Sequence, residues 1–390
     1  MTDSPAIIGW SHSAFGKTTE PDVQALLSNV TGPALQHAGV APGDVDGVFV
    51  GVFNGGFSRQ GFEAGLVGAG EPALASIPAV RTENACATGS SALFAALDFV
   101  QSGRGRIALV AGAEKMTAAE PEVVNDVLLT ASYREEEEQA GSFAGVFGDI
   151  ARTYFERYGD HSDALARIAA KNHRNGVGNP YAHLRKDLGF EFCAEVSDRN
   201  PLVADPLRRT DCSLVSDGAA ALVVAAPEVA ATAPRAIGWR GRAHANDHLP
   251  LSRRDDVLAF AGARAAFTRA MSDAGADLPA LDLLETHDCF TIAELLQYEA
   301  FELAAPGKGA ALLEEGGTER GGDLPVNPSG GLKSKGHPIG ATGISQHIMA
   351  SLQLTGEAGD MQVPGAELAA VFNMGGVAVA NYCSVLERIR

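Results

Sequence analysis

At 390 residues the chain is longer than one hydrophobic core usually supports, so two core-sized units are expected. Its 46% hydrophobic and 20% charged residues are a folded globular composition and exclude a disordered chain. A net charge of −18 leaves no field to gather phosphates, which excludes nucleic acid and anionic membrane surfaces as general partners.

The N-terminus leads straight into a strand-like run, Ala6–Trp10, with no secretory or transit pattern, and no apolar stretch reaches membrane-spanning length. Cytoplasm is the expected location. Ala34–Ala38 reads as a helix closed by Gly39, followed by a strand over Gly47–Gly51. A strand at Ala79–Arg81 then approaches a helix over Ala92–Val100, with Cys86 at the junction. A thiol at a helix start faces unpaired N–H groups and the positive dipole end, and both favour thiolate. By itself Cys86 also fits a small apolar residue filling the corner.

A strand at Arg106–Gly112 is followed by a stretch of different character, about residues 115–210, with a helix over Asp149–Gly159. The run Glu135–Glu138 inside it reads as a solvated face or loop. This stretch interrupts the first half and has no counterpart later, so it is expected to be an inserted loop domain with a binding role. After a strand at Ala219–Val224 the pattern repeats. Ala6-Ile7-Ile8-Gly9-Trp10 recurs as Arg235-Ala236-Ile237-Gly238-Trp239, and the helix end before Gly39 recurs before Gly275, leading to Leu281–Glu285. Two duplicated α/β halves, 1–228 and 229–390, each with a mixed sheet covered by helices, are therefore expected.

Three later clusters bear chemistry. Glu285-Thr286-His287-Asp288-Cys289-Phe290 ends a strand, where ligands bind in α/β sheets. Asn327–Gly343 is glycine-rich around His337, and Asn373-Met374-Gly375-Gly376 reads as a tight turn between apolar strands at Ala369–Phe372 and Val377–Ala380. Each has a plain alternative: a surface histidine, Asp288 as a helix N-cap, or a simple hairpin. Together they supply a nucleophile, bases and oxyanion donors, the set that carbon–carbon bond making or breaking requires. Cysteines 86, 193, 212, 289 and 383 form no CxxC pair and read as free thiols, with no metal site; Cys193, Cys212 and Cys383 read as structural.

These motifs, with Asn84-Ala85-Cys86, Cys212–Ala220 and Asn172-His173…Asn179-Pro180-Tyr181, resemble the thiolase part of the sterol-carrier-protein thiolases over essentially the whole chain. The resemblance implies the thiolase fold, a duplicated five-layered αβαβα arrangement with two mixed sheets and an inserted loop domain. It implies that Cys86 is acylated, that His337 activates it, and that Cys289 handles the proton at C2 of the acyl group. His287 and the N–H groups of Cys86 and Gly375 would hold oxyanions. Most thiolases carry a second thiol in a Cys-x-Gly turn where this chain has Asn373, and in the sterol-carrier type Cys289 stands in for it.

The implied activity is that of an acetyl-CoA C-acetyltransferase or C-acyltransferase, cleaving 3-ketoacyl-CoA with CoA or condensing acyl-CoA through an acyl-cysteine. CoA and acyl-CoA would be substrates, with no permanently bound cofactor, and no CoA-contacting residue is assigned. A homodimer or homotetramer is implied. The alternative is an acyltransferase or a retro-aldolase on steroid side-chain thioesters, in complex with a small OB-fold and zinc-ribbon partner. Related aldolases tend to lack the nucleophilic cysteine and histidines that this chain keeps. Because the matching residues run to Arg390, no fused lipid-transfer domain is expected.

Overall fold

A computed structural model describes residues 4–390. Nine strands form one mixed sheet: β1 (Ala6–His12), β2 (Gly47–Gly51), β3 (Ala79–Thr82), β4 (Ile107–Glu114), β7 (Gly218–Ala225), β8 (Ile237–Asn246), β9 (Leu283–Glu285), β10 (Leu368–Gly375) and β11 (Ala380–Arg388). A small hairpin, β5 (Leu202–Ala204) and β6 (Leu207–Arg208), stands apart. The order is β3-β2-β4-β7-β1-β8-β11-β10-β9, with β2 parallel to both β3 and β4, and β9 parallel to β10. The two expected sheets are the two sides of this one. They meet only where β1 and β8 pair, Ala6 with Gly238 and Ile7 with Ile237. The first copies of the sequence repeat thus lie side by side at the centre.

Strands β2, β4, β7 and β10 are buried along their whole length, as their continuous apolar runs imply. In β4, Leu109 and Ala111 pack toward helix Val23–Ala38, while Ala108 and Val110 pack toward two central helices, Thr88–Gln101 and Ile339–Thr355. In β10, Ala369 and Val371 share that central layer, while Ala370, Phe372 and Met374 face helices Ala261–Ala274 and Thr291–Ala300. The result is five layers: outer helix, sheet, central helices, sheet, outer helix. The repeated outer helices end alike, at Gly39 (φ 69°) and Gly275 (φ 57°), each closing the last turn in the left-handed conformation.

Three boundaries differ from the sequence reading. The central helix begins at Thr88 rather than Ala92, and β10 runs through Asn373 to Gly375. The strand expected at Val377–Ala380 is mostly the turn itself, with Gly376 at φ 61° and Ala378 at φ 50°. Between β4 and β7 lie helices including Phe143–Tyr158, capped by the Ser142 hydroxyl accepting from Gly145 N–H at 2.9 Å, and Ser162–Gly176. Among the described residues no helix is long and apolar enough to cross a membrane.

The two central helices touch at their N-terminal ends. A Cβ on Gly89 would lie 2.9 Å from the Gly340 carbonyl and 3.0 Å from Gly343 N, so only glycine permits the crossing. That crossing sets the segment before Thr88 against the segment before Ile339, and Cys86 and His337 belong to those segments.

Candidate active site

Cys86 sits in a tight turn between β3 and the central helix. Ala87 N–H donates to Asn84 O and Thr88 N–H to Ala85 O, both at 3.0 Å, and Ala85 adopts φ 48°. Gly375 is needed here because a Cβ on it would collide with the Asn84 carbonyl. The sulfur is not a resting thiolate. Burial pushes the Cys86 thiol up to about 12, and Glu83 and Glu114 add to this, against the opposing N–H groups of Gly376 and of Cys86 itself. The helix begins at Thr88, nearer to Cys86 than the sequence suggests, and burial works against the thiolate that its N-terminus favours.

Two imidazoles face this thiol. The Cys86 sulfur and one nitrogen from each of His287 and His337 all lie within 4.8 Å of one another, and the rings stand perpendicular with centroids 5.1 Å apart. His337 Nδ1 is 2.7 Å from the Thr342 hydroxyl, which donates its own proton to Pro338 O at 3.0 Å. Thr342 therefore accepts from His337, leaving Nε2 as a lone pair with no partner. Burial, then Lys335, pulls His337 down to about 3, so the ring is neutral. His287 lies near the start of the loop that runs from β9 to helix Thr291–Ala300. Its backbone is clamped by Gln297, whose Nε2 donates to His287 O at 2.7 Å, and its own Nε2 is also buried without a partner. Burial, then His337, lowers His287 well below the usual imidazole range.

Cys289 opens onto the same space. A cavity of about 220 Å³ is lined by Cys86, Cys289, His337, Met116, Phe143 and Phe290, with Cys212 also on its wall. Burial first, and then nearby Cys86, raises the Cys289 thiol well above its ordinary range. The walls come mainly from the segment between β4 and β7 and from the loop after β9. The arrangement is an apolar slot ending at two thiols and a base.

Two sequence patterns match this architecture at the level of families. Residues 6–228 match the thiolase N-terminal domain, and residues 243–388 match a thiolase C-terminal domain-like family. The chain belongs to the thiolase family. It is 36% identical to an acetyl-CoA acetyltransferase of Methanothermobacter thermautotrophicus, over 95% of this chain and 96% of that protein. It is 35% identical to rabbit (Oryctolagus cuniculus) sterol carrier protein 2 over 77% of this chain, a match that spans 57% of that longer protein. Among solved structures, the Ltp2–ChsH2(DUF35) aldolase superposes with a TM-score of 0.82 at 20% identity, covering 100% of this chain and 98% of that one. That likeness is one of fold. The relatives support a thiolase-type acyltransferase.

In this thiolase the reactive loops are tied together by buried carboxylates that the sequence did not single out for that role. Asp288 does not cap the helix that follows it, as its position suggested. It accepts from Leu332 N–H at 2.6 Å and Lys333 N–H at 3.1 Å, capping the short helix Gly331–Lys335 that leads to His337. Asn172 Nδ2 joins it at 2.8 Å and also reaches Glu294 at 2.7 Å. Glu114, at the end of β4, accepts from Phe53, Asn54 and Gly340 N–H at 2.9–3.0 Å, fixing the start of the second central helix. A carboxylate closing an apolar strand was the only signal for Glu114. Its partner Gly340 lies too far along the chain to be found by spacing.

Proposed function

We propose that the protein is an acyl-CoA C-acyltransferase that works in two half-reactions through acyl-Cys86. The observation that carries this reading is the Cys86 sulfur lying within 4.8 Å of a ring nitrogen of both His287 and His337, beside a cavity that also holds a second thiol. His337 Nε2 takes the thiol proton as the sulfur attacks the thioester carbonyl, and the C–S bond to CoA breaks. The proton passes to the leaving CoA sulfur, leaving an acyl group on Cys86. The N–H groups of Cys86 and Gly375 hold the oxyanion of this step.

In the condensing direction the Cys289 thiol first gives its proton to His337, and the resulting thiolate removes the C2 proton of a second acyl-CoA, whose enolate oxygen is held by His287. The enolate carbon attacks acyl-Cys86, a C–C bond forms, and the Cys86 thiolate leaves and takes back the proton held on His337. Thiolysis of a 3-ketoacyl-CoA is the reverse. Residues 1–228 and 229–390 act as the two halves, with about 115–210 shaping the acyl slot. CoA and acyl-CoA are the substrates, and the working form is a homodimer or homotetramer.

Incubation with acetyl-CoA followed by mass spectrometry is expected to place one acetyl group on the peptide containing Cys86 and none in Cys86→Ala. An unmodified wild-type peptide, or full turnover by the variant, overturns the reading. The likeness of fold to the Ltp2–ChsH2(DUF35) aldolase favours a second reading, that of an acyltransferase or retro-aldolase needing a small partner. It predicts no turnover by the isolated chain and recovery of turnover with such a partner.

A further inference from the structure

We propose that Asn373 is a positioning residue whose amide decides which nitrogen of His287 carries the proton. Asn373 lies in β10 and is fully buried. Its Oδ1 accepts from the Ser90 hydroxyl at 2.8 Å, and its Nδ2 donates to the Cys86 carbonyl at 3.2 Å. A carbonyl oxygen only accepts, so this bond fixes which end of the amide is nitrogen. The second Nδ2 hydrogen is then directed at His287 Nδ1, 2.8 Å away. That atom must be a lone pair, and in a neutral imidazole the proton sits on Nε2. His287 Nε2 is the atom left without a partner.

The two histidines are thereby set in opposite tautomers. Thr342 makes His337 Nε2 an acceptor, and Asn373 makes His287 Nε2 a donor. Base and oxyanion donor are the two roles that chemistry needs side by side, and identical side chains fill them because their neighbours differ. A thiol at position 373 could not hold the amide's three directed bonds at once. The inference rests on the acyl-transfer reading only for its kinetic consequence.

The test is two-bond ¹H–¹⁵N spectroscopy of the full chain labelled at histidine, without substrate, with His287→Gln used for assignment. The expected result is a proton on Nε2 of His287 and on Nδ1 of His337. Asn373→Asp keeps the shape but turns the donor into an acceptor, so His287 is expected to move its proton to Nδ1. With one oxyanion donor lost, kcat is expected to fall about 10²–10³-fold with KM little changed. Nδ1-protonated His287 in the wild type overturns the proposal, as does an Asn373→Asp protein with an unaltered spectrum and kcat. If that variant does not fold, the wild-type spectrum decides alone. A wild-type chain that transfers no acyl group overturns the proposed activity, and the spectrum still decides the tautomer.

Discussion

Below its pKa a thiol yields about tenfold more thiolate for each unit of pH, and Cys86, raised by burial to about 12, stays below it throughout the neutral range. Alkylation of resting Cys86 by iodoacetamide is therefore expected to speed up continuously from pH 7 to 10. A plateau near pH 7, the signature of a preformed thiolate, would contradict the buried-thiol state. Cys289→Ala separates the two half-reactions: Cys86 is still expected to take an acetyl group, while condensation and thiolysis fall about 10²–10⁴-fold, the usual worth of a positioned acid/base. Equal loss of both steps would remove the role given to Cys289. At this scale Cys86, His287, Cys289 and His337 were legible because each sits in a short motif with its own spacing. The part played by Asn373 was not, because its partners Ser90, Cys86 and His287 come from other elements and only the fold brings them together.

The crossing of the central helices depends on the absence of side chains. A Cβ on Gly340 would collide with the Gly51 and Ala113 carbonyls, which are backbone atoms and cannot swing aside. Gly340→Ala is expected to cost about 1–3 kcal/mol of stability by overpacking. It should also lower kcat by moving His337, three residues earlier, and thermal unfolding with kinetics on the same preparation checks both. An unchanged Tm and kcat would show that the crossing has slack. Element type was readable from apolar periodicity, but ends were not. Thr88-Gly89-Ser90-Ser91 has weak helix propensity, and tertiary packing makes it helical anyway. Asn373 to Gly375 has turn composition, yet pairing with Ala380 to Tyr382 holds it as strand.

Over the whole molecule, burial of neutral imidazoles ties stability to pH. His12 and His337 are pulled down to about 3 and His347 to about 4, chiefly by burial, whereas the unfolded chain titrates near 6.5. Lowered values mean that the unfolded state binds protons the native state does not, so this stability is present above about pH 6.5 and lost as pH falls toward 4. Each such ring contributes a slope of about 1.4 kcal/mol per pH unit in that window. Urea titrations at pH 7 and pH 5 are expected to show a clear drop in midpoint, and His347→Gln should lessen it; equal midpoints would refute the account. The duplication itself was legible from the two repeated segments, while the joining of two sheets into one was not, since it rests on two residue pairs. That narrow seam has a further consequence. Cys86 lies in the chain before β8, whereas His287, Cys289 and His337 lie after it, so a protein nicked at Thr232 would yield two fragments, neither able to form an acyl-enzyme. Mixed, they are expected to complement each other, with activity rising as the product of their concentrations, and catalysis would report on the docking of one half with the other.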